Sequence, residues 1–248
     1  MRVTKVKHLY QLSFMPRSFP VNCYLIEEND HLVLIDTALP YSKKAILQTA
    51  EKIGKPITKI LLTHAHSDHI GALDGLKQEL PGAEVFMTER EAKLLTGDSS
   101  LEEGETLPIK GGVPKNVHTR PDRLIQAGER IGSLLTVPSP GHTPGSMCFL
   151  DTRDHHLIAG DAFQTRGGVA VSGDLRWRFP FPALATWNKE AAIDSAGTLI
   201  ACNPSLLAVG HGTMISDPVS VMENAQKRAI ARRDKRVTKS RFNSGSHH

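Results

Sequence analysis

An α/β fold is predicted by two features of the 248-residue sequence. Short runs of β-forming residues alternate with segments whose apolar residues recur at helical spacing. Several of those runs also end in histidine or aspartate beside glycine, which suits a functional turn beyond a strand end. No break in composition marks a linker, so residues 1–240 are expected to form one domain, followed by a tail of residues 241–248.

At the N-terminal end, NCYLIEE (22–28) and HLVLIDTAL (31–39) flank Asn29 and Asp30 and predict a hairpin. Ala45, Ile46, Ala50 and Ile53 give residues 41–54 a helical period, and Gly54 followed by Pro56 marks its stop. A strand is expected at ITKILLTH (57–64), a helix at SDHIGALDGLKQEL (67–80) and a strand at AEVFMTE (83–89). Residues 97–122 are rich in glycine, proline and charge and read as a surface excursion. Further strands are expected at RLI (123–125), SLLTVPSP (133–140), MCFLDT (147–152), HHLIAGDAF (155–163) and LLAVGHG (206–212). Residues 164–182 read as a loop, 186–198 as a helix, and a last helix starts near Pro218.

Hydrophobic residues make up 40% of the chain, which suits a soluble globular protein. No run approaches a membrane span, and MRVTKVKHLYQL lacks the apolar core of a secretory signal, so the cytoplasm is the expected location. Cys23, Cys148 and Cys202 are odd in number and far apart, which fits buried thiols better than a disulfide framework. Of the 30 Lys and Arg, eight lie in residues 227–248 against one of the 26 acidic residues, leaving 22 basic and 25 acidic residues before them. The body is therefore slightly acidic, and the basic segment reads as a solvated helix rather than a nucleic-acid surface. GSHH at the end reads as a tag remnant, so His247 and His248 are set aside.

LLTHAHSDHIG (61–71) carries the densest chemistry. His64 and His66 are two apart on an extended end and project to one side, while Asp68 and His69 fall where the chain turns into a helix. Leaving such groups buried and unpaired is costly. Single residues of the same kind follow three later strands: His142 in PGHTPGS, Asp161 in GDAF and His211 in GHG. Five histidines and two aspartates exceed what one tetrahedral zinc takes, and they suit two metals sharing a carboxylate.

On these residues the chain resembles the metallo-β-lactamase superfamily, whose HxHxDH motif is matched by His64, His66, Asp68 and His69, and whose later positions are matched by His142, Asp161 and His211. The resemblance implies an αββα sandwich of two mixed β-sheets flanked by helices, with metals at one edge. It implies one metal on His64, His66 and His142, a second on Asp68, His69 and His211, and Asp161 bridging. Asp36 in VLIDT matches a position behind the ligands, where it would accept a ring N–H from a ligating histidine; capping the hairpin end or the next helix is the alternative use. His8, His31, His118, His155 and His156 match no family position and read as solvated or structural.

The implied cofactors are two zinc ions, with manganese or iron as alternatives. The implied reaction is attack of a bridging hydroxide on an ester, lactone or thioester carbonyl, with Asp68 orienting the nucleophile and passing a proton to the leaving group. Flavodiiron-type members carry Glu where this chain has His66, which favours zinc. True metallo-β-lactamases lack an aspartate at the bridging position, so Asp161 moves the expectation toward lactonases and glyoxalase II-like thioesterases. Phosphotriester or phosphodiester hydrolysis is the alternative, with β-lactam hydrolysis as a side activity. The glutathione-binding pattern of a glyoxalase II is not apparent, and Phe163 stands where some acyl-homoserine lactonases place a tyrosine.

The expected partner is a small-molecule substrate. FMPRSFP (14–20) and RWRFPFP (176–182) place Phe14, Met15, Phe19, Trp177, Phe179 and Phe181 in loops, where with Phe163 they are candidates for the wall of an apolar pocket. Core packing or a homodimer contact is the competing use of each.

Overall fold

The computed structural model describes residues 1–244, with side chains through residue 235. Seven strands form one sheet in chain order: β1 (Arg2–Val6), β2 (Leu9–Phe14), β3 (Val21–Glu27), β4 (Leu32–Ile35), β5 (Ile57–Leu61), β6 (Glu84–Met87) and β7 (Arg123–Leu124). The first four pair antiparallel and the last four parallel. The parallel pairs need crossovers. These are α1 (Lys43–Ile53) before β5, α2 (Ser67–Ile70) and α3 (Leu73–Glu79) before β6, and α4 (Glu89–Leu95) before β7.

The second sheet holds β8 (Arg130–Ile131), β9 (Leu134–Pro138), β10 (Met147–Asp151) and β11 (His156–Ile158). A small hairpin of β12 (Phe163–Gln164) and β13 (Ala170–Val171) follows, then α5 (Phe181–Leu184) and α6 (Lys189–Ala201). The chain re-enters the second sheet as β14 (Leu206–Ala208) and β15 (Ile215–Ser216), then ends in α7 (Val219–Ser244). β14 pairs parallel to β11 and the other pairs are antiparallel, so both sheets are mixed.

Strand runs apolar at every position result from covering both faces. Cys23 and Leu25 of β3, Leu32 and Leu34 of β4, and Val85 and Met87 of β6 pack with Ile46 of α1, Leu76 of α3 and Leu94 of α4. Their neighbours Tyr24, Ile26, Val33, Ile35 and Phe86 meet Met147, Phe149 and Leu206 between the sheets. Beyond the second sheet, Cys148, Leu150 and Leu207 pack against Ala196 and Leu199 of α6 and Met222 and Ala225 of α7. Helix, sheet, sheet and helix thus stack as four layers.

The hairpin at Asn29–Asp30 and the stop of α1 follow the sequence pattern. Gly54 adopts φ 81°, and its N–H closes the helix on Ala50 and Glu51. Other segments differ from expectation. The helix expected over 67–80 breaks at Gly71, because its backbone sits against Ala38 and Pro40, where an added Cβ would meet the Ala38 carbonyl at 2.7 Å. The helix α4 was not foreseen; Thr88 caps it by accepting the Glu91 N–H. The 164–182 segment contains β12, β13 and the start of α5 rather than loop alone, and α6 starts later than expected, at the Asn188 cap. RLI yields only the two residues of β7. Backbone helix α7 runs to Ser244, while the GSHH segment lies outside the described residues. Among the described residues no helix is long and apolar enough to cross a membrane.

Phe149 is fully buried between the sheets. Phe149→Ala is expected to lower stability by roughly 3–5 kcal/mol through lost burial and the cavity left behind. A urea midpoint that barely moves, at unchanged slope, would contradict this packing.

Candidate metal centre

Five strands of the two sheets end on the same edge. Asp36 follows β4; Thr63, His64 and His66 follow β5 and lead into α2, which carries Asp68 and His69. His142 lies beyond β9, Asp161 beyond β11 and His211 beyond β14. All seven motif residues are brought together there, and all but Asp68 are buried.

Three sets of side chains each bring their ligand-type atoms within 4.8 Å of one another: His64, His66 and His142; Asp68, His69 and His211; and His64, His69 and Asp161. Asp161 lies between the first two sets. Its Oδ2 is 3.3 Å from His142 Nε2 and 3.2 Å from His211 Nε2, while Oδ1 is 3.4 Å from His69 Nε2. The fit to cations is tested by buried atoms that make no hydrogen bond inside the protein. His64 Nε2, His69 Nε2 and Asp161 Oδ1 are buried without a hydrogen bond, although native proteins pair nearly all such atoms. They point into the shared space, so the cluster fits a cation or a pair of them.

Each histidine is fixed by its other nitrogen. His64 Nδ1 lies 3.0 Å from Thr63 Oγ1, which donates to Asp36 Oδ2 at 2.8 Å. His69 Nδ1 donates to the same Asp36 oxygen at 2.8 Å. Asp36 therefore contacts His69 directly and His64 through Thr63 instead of capping a helix, and it also accepts the Thr63 N–H. His66 Nε2 meets the Lys110 carbonyl at 2.8 Å, His142 Nδ1 the Ser172 hydroxyl at 3.0 Å, and His211 Nδ1 the Pro20 carbonyl at 2.7 Å. The turn bearing His211 is itself held by Asn22, whose Nδ2 donates to Val209 and Gly212 carbonyls, and by Tyr24, whose hydroxyl donates to Val209. Gly210 has to be small, since a Cβ there would meet Asp161 Oδ1 at 2.2 Å.

Burial sets the charge of the first set. It pushes His64 well below the usual imidazole range, lowers His66, and takes His142 down to about 3 against the pull of Asp161. Three neutral imidazoles result, the form that binds a metal. Burial also acts against protonation of His69 and His211, but carboxylates outweigh it: Asp161 and Asp36 hold His69 high, and Asp161 and Asp68 raise His211 to about 10. The half-buried Asp68 carboxyl is likewise pushed up by burial but held below the ordinary range by His211 and His69. Here a cation would replace protons, so metal uptake at this set releases them.

A buried acid that the sequence did not flag holds two ligand loops together. Glu91 of α4 accepts the Ala65 N–H at 2.8 Å, between His64 and His66, and the Gly145 N–H at 2.9 Å, three residues beyond His142. Its partners are backbone groups, which carry no residue signature; only an acid in an otherwise apolar helix face could have pointed to it. The candidate wall residues separate. Phe19 and Phe179 pack against His211 at ring-centroid distances of 5.5 and 5.4 Å, and Phe181 against Phe19 at 4.9 Å. Phe14 and Phe163 are drawn into the helix-facing cores of the first and second sheets, where they line no open wall. Met15 is exposed on the loop after β2. Trp177, 88% exposed, borders a surface cavity of about 470 Å³ with Asp174, Leu184 and Lys189, and none of the seven cluster residues lines it.

An αββα sandwich with this cluster at its edge defines a metal-dependent hydrolase. A family model described as the Metallo-beta-lactamase superfamily matches residues 16–211, which include all seven cluster residues, and the chain belongs to that superfamily. It is 56% identical over 230 residues to the YobT protein of Bacillus subtilis (strain 168), covering 92% of this chain and 99% of that one. Hydroxyacylglutathione hydrolase GloC of Haemophilus influenzae is 28% identical over 207 residues, with 79% and 87% covered. Among solved structures, a di-iron-bound form of TTHA1623 matches with a TM-score of 0.62 at 26% identity, over 85% of this chain and 96% of that one.

Burial pushes the Glu91 carboxyl up to about 7 from the ordinary 4.5, against the pull of Thr143, Ala65 and Gly145. Because the folded value is the higher, this stabilisation is fully present below pH 4.5 and is lost as pH rises through 7. In chelator-treated protein, wild type should lose on the order of 3 kcal/mol relative to Glu91→Gln between acid and mildly alkaline pH. Urea midpoints of the two proteins give the difference; one that stays flat or rises with pH contradicts this assignment.

Proposed function

We propose that this chain is a dinuclear zinc hydrolase that opens the carbonyl of an ester, lactone or thioester. The observation that carries the reading is Asp161, whose two oxygens face histidines of both three-residue sets. One ion is assigned to His64, His66 and His142, the other to Asp68, His69 and His211, with Asp161 between them. Zinc is assigned over a redox iron pair because His66 stands where flavodiiron-type members carry Glu, with iron or manganese as the alternatives. When bound, such a pair supplies a nucleophilic water at neutral pH and an electrophile for the carbonyl oxygen.

The protein's own groups do the rest. Asp68 is the one carboxylate of the cluster that is not buried, and it lies 3.4 Å from His211 Nε2. It is placed to take the proton of the attacking water and deliver it to the leaving alkoxide or thiolate. Phe19 and Phe181, backed by the buried Phe179, give the His211 side an aromatic wall for an apolar acyl or leaving group. Phe163 lies in the helix-facing core of the second sheet and offers no hydroxyl toward the cluster, so the ion that His64, His66 and His142 would hold would supply the stabilisation of the carbonyl oxygen. The similarity to a hydroxyacylglutathione hydrolase supports a thioester among the candidate substrates.

The test is a panel of lactones, thioesters, aryl esters, a phosphotriester and a β-lactam, offered to zinc-loaded protein and to His66→Ala and Asp161→Ala. At least one carbonyl substrate should lose roughly 10²-fold or more in kcat/KM in both variants. Turnover of the phosphotriester alone would shift the assignment to phosphoester chemistry. Equal turnover by wild type and His66→Ala would end the carbonyl-hydrolase reading.

A further inference from the structure

The excursion between α4 and β7 is fastened across the metal centre at three places. The Trp187 Nε1–H donates to the Leu107 carbonyl at 2.8 Å. His66 Nε2 meets the Lys110 carbonyl at 2.8 Å, and Ser67 donates both its backbone N–H and its hydroxyl to the Gly112 carbonyl at 2.8 and 2.6 Å. Residues 110–112 therefore lie directly on the turn that carries His66 and Asp68. Gly111 between them adopts φ +90°, and a Cβ built on it would stand 2.3 Å from His66 Nε2 and 2.4 Å from Cε1. Its missing side chain is the space that the imidazole occupies.

A carbonyl only accepts, so the His66 nitrogen facing Lys110 is the one that bears hydrogen. The lone pair is then on Nδ1, which is turned into the cluster 2.9 Å from His142 Nε2. His64 is held the opposite way: Nδ1 faces Thr63, and Nε2 faces the cluster. Two histidines on one turn thus present different nitrogens, and for His66 the choice is made by a backbone carbonyl of a surface loop.

We propose that the Lys110–Gly111 segment of this strap is a working part of the metal centre, with Gly111 as a positioning residue that lets the Lys110 carbonyl select the Nδ1-ligating form of His66. The proposal rests on the two-metal reading above. A side chain at Gly111 would drive the ring or the strap away, and outer partners of this kind govern metal affinity. Gly112 supplies a matched control from the same loop. Its added Cβ would meet only Ser67, at an ordinary 3.6 Å, and its φ lies outside the left-handed region.

The experiment is a zinc titration of chelator-stripped wild type, Gly111→Ala and Gly112→Ala against a chromophoric competitor, resolving both binding steps. Imidazole nitrogen NMR of the zinc-loaded proteins accompanies it. Gly111→Ala should lose roughly 10–100-fold in affinity at one of the two steps, and the His66 Nε2–H signal should shift or vanish. Gly112→Ala should match wild type in both readouts, and all three stripped proteins should show the same far-ultraviolet circular dichroism. Equal affinities in all three, or the same loss in both variants, overturns the strap proposal while leaving the metal reading intact. Failure of wild type itself to bind zinc overturns the metal reading and the strap proposal together.

Discussion

One carboxylate, Asp36, fixes the turn on which the candidate metal centre is built. It accepts the Thr63 N–H, the Thr63 hydroxyl and the His69 ring N–H, and through Thr63 it also orients His64. The chain leaves β4 in an unusual way to place it: Asp36 and Ala38 have φ of 58° and 54°. Non-glycine residues in that region cost about 1–2 kcal/mol each. The strain is held by the hydrogen bonds of Asp36 and by the Gly71 N–H donating to the Ala38 carbonyl at 2.8 Å. The same contact breaks α2 from α3, so the kink after the HxHxDH turn and the orientation of two of its histidines share a cause.

The sandwich supplies what a single turn cannot. Buried imidazoles and a buried carboxylate are tolerated only where each has a partner, since an orphaned polar group costs about 1–3 kcal/mol. Here the outward nitrogens of all five histidines are satisfied by protein: a threonine hydroxyl, a serine hydroxyl, a carboxylate and two backbone carbonyls. The inward atoms of His64, His69 and Asp161 are left to one another and to a cation. The two sheets are locked in relative position at the same edge, with Asn22 and Tyr24 of β3 gripping the turn after β14, and Glu91 joining the turns after β5 and β9. Fold and site are therefore one hydrogen-bonded unit at that edge.

The gathering of these seven residues was legible in the sequence because metal chemistry restricts residue type and because the candidate ligands sit where apolar runs stop. The layer order was legible through resemblance, while strand and helix alternation alone reached only the α/β class. Contacts made by backbone groups left no trace: the Lys110 carbonyl on His66 and the amides held by Glu91 have no residue preference. Gly111 read as one more glycine in a polar loop. The aromatic loops also misled in part, since an aromatic beside proline looks the same whether it reaches the site, like Phe19, or enters the core, like Phe14. Phe163 looked like a pocket residue by position but is buried among Cys148, Leu207 and Met222.

In the proposed two-metal centre, seven side chains from the ends of four strands would hold two ions around one shared carboxylate. Anomalous diffraction from zinc-soaked crystals, recorded on both sides of the zinc edge, tests it most directly. Two peaks are expected, roughly 3.5–4 Å apart, one among His64, His66 and His142, the other among Asp68, His69 and His211, with Asp161 touching both. A single peak at full zinc occupancy, or a pair with Asp161 turned away, would contradict it.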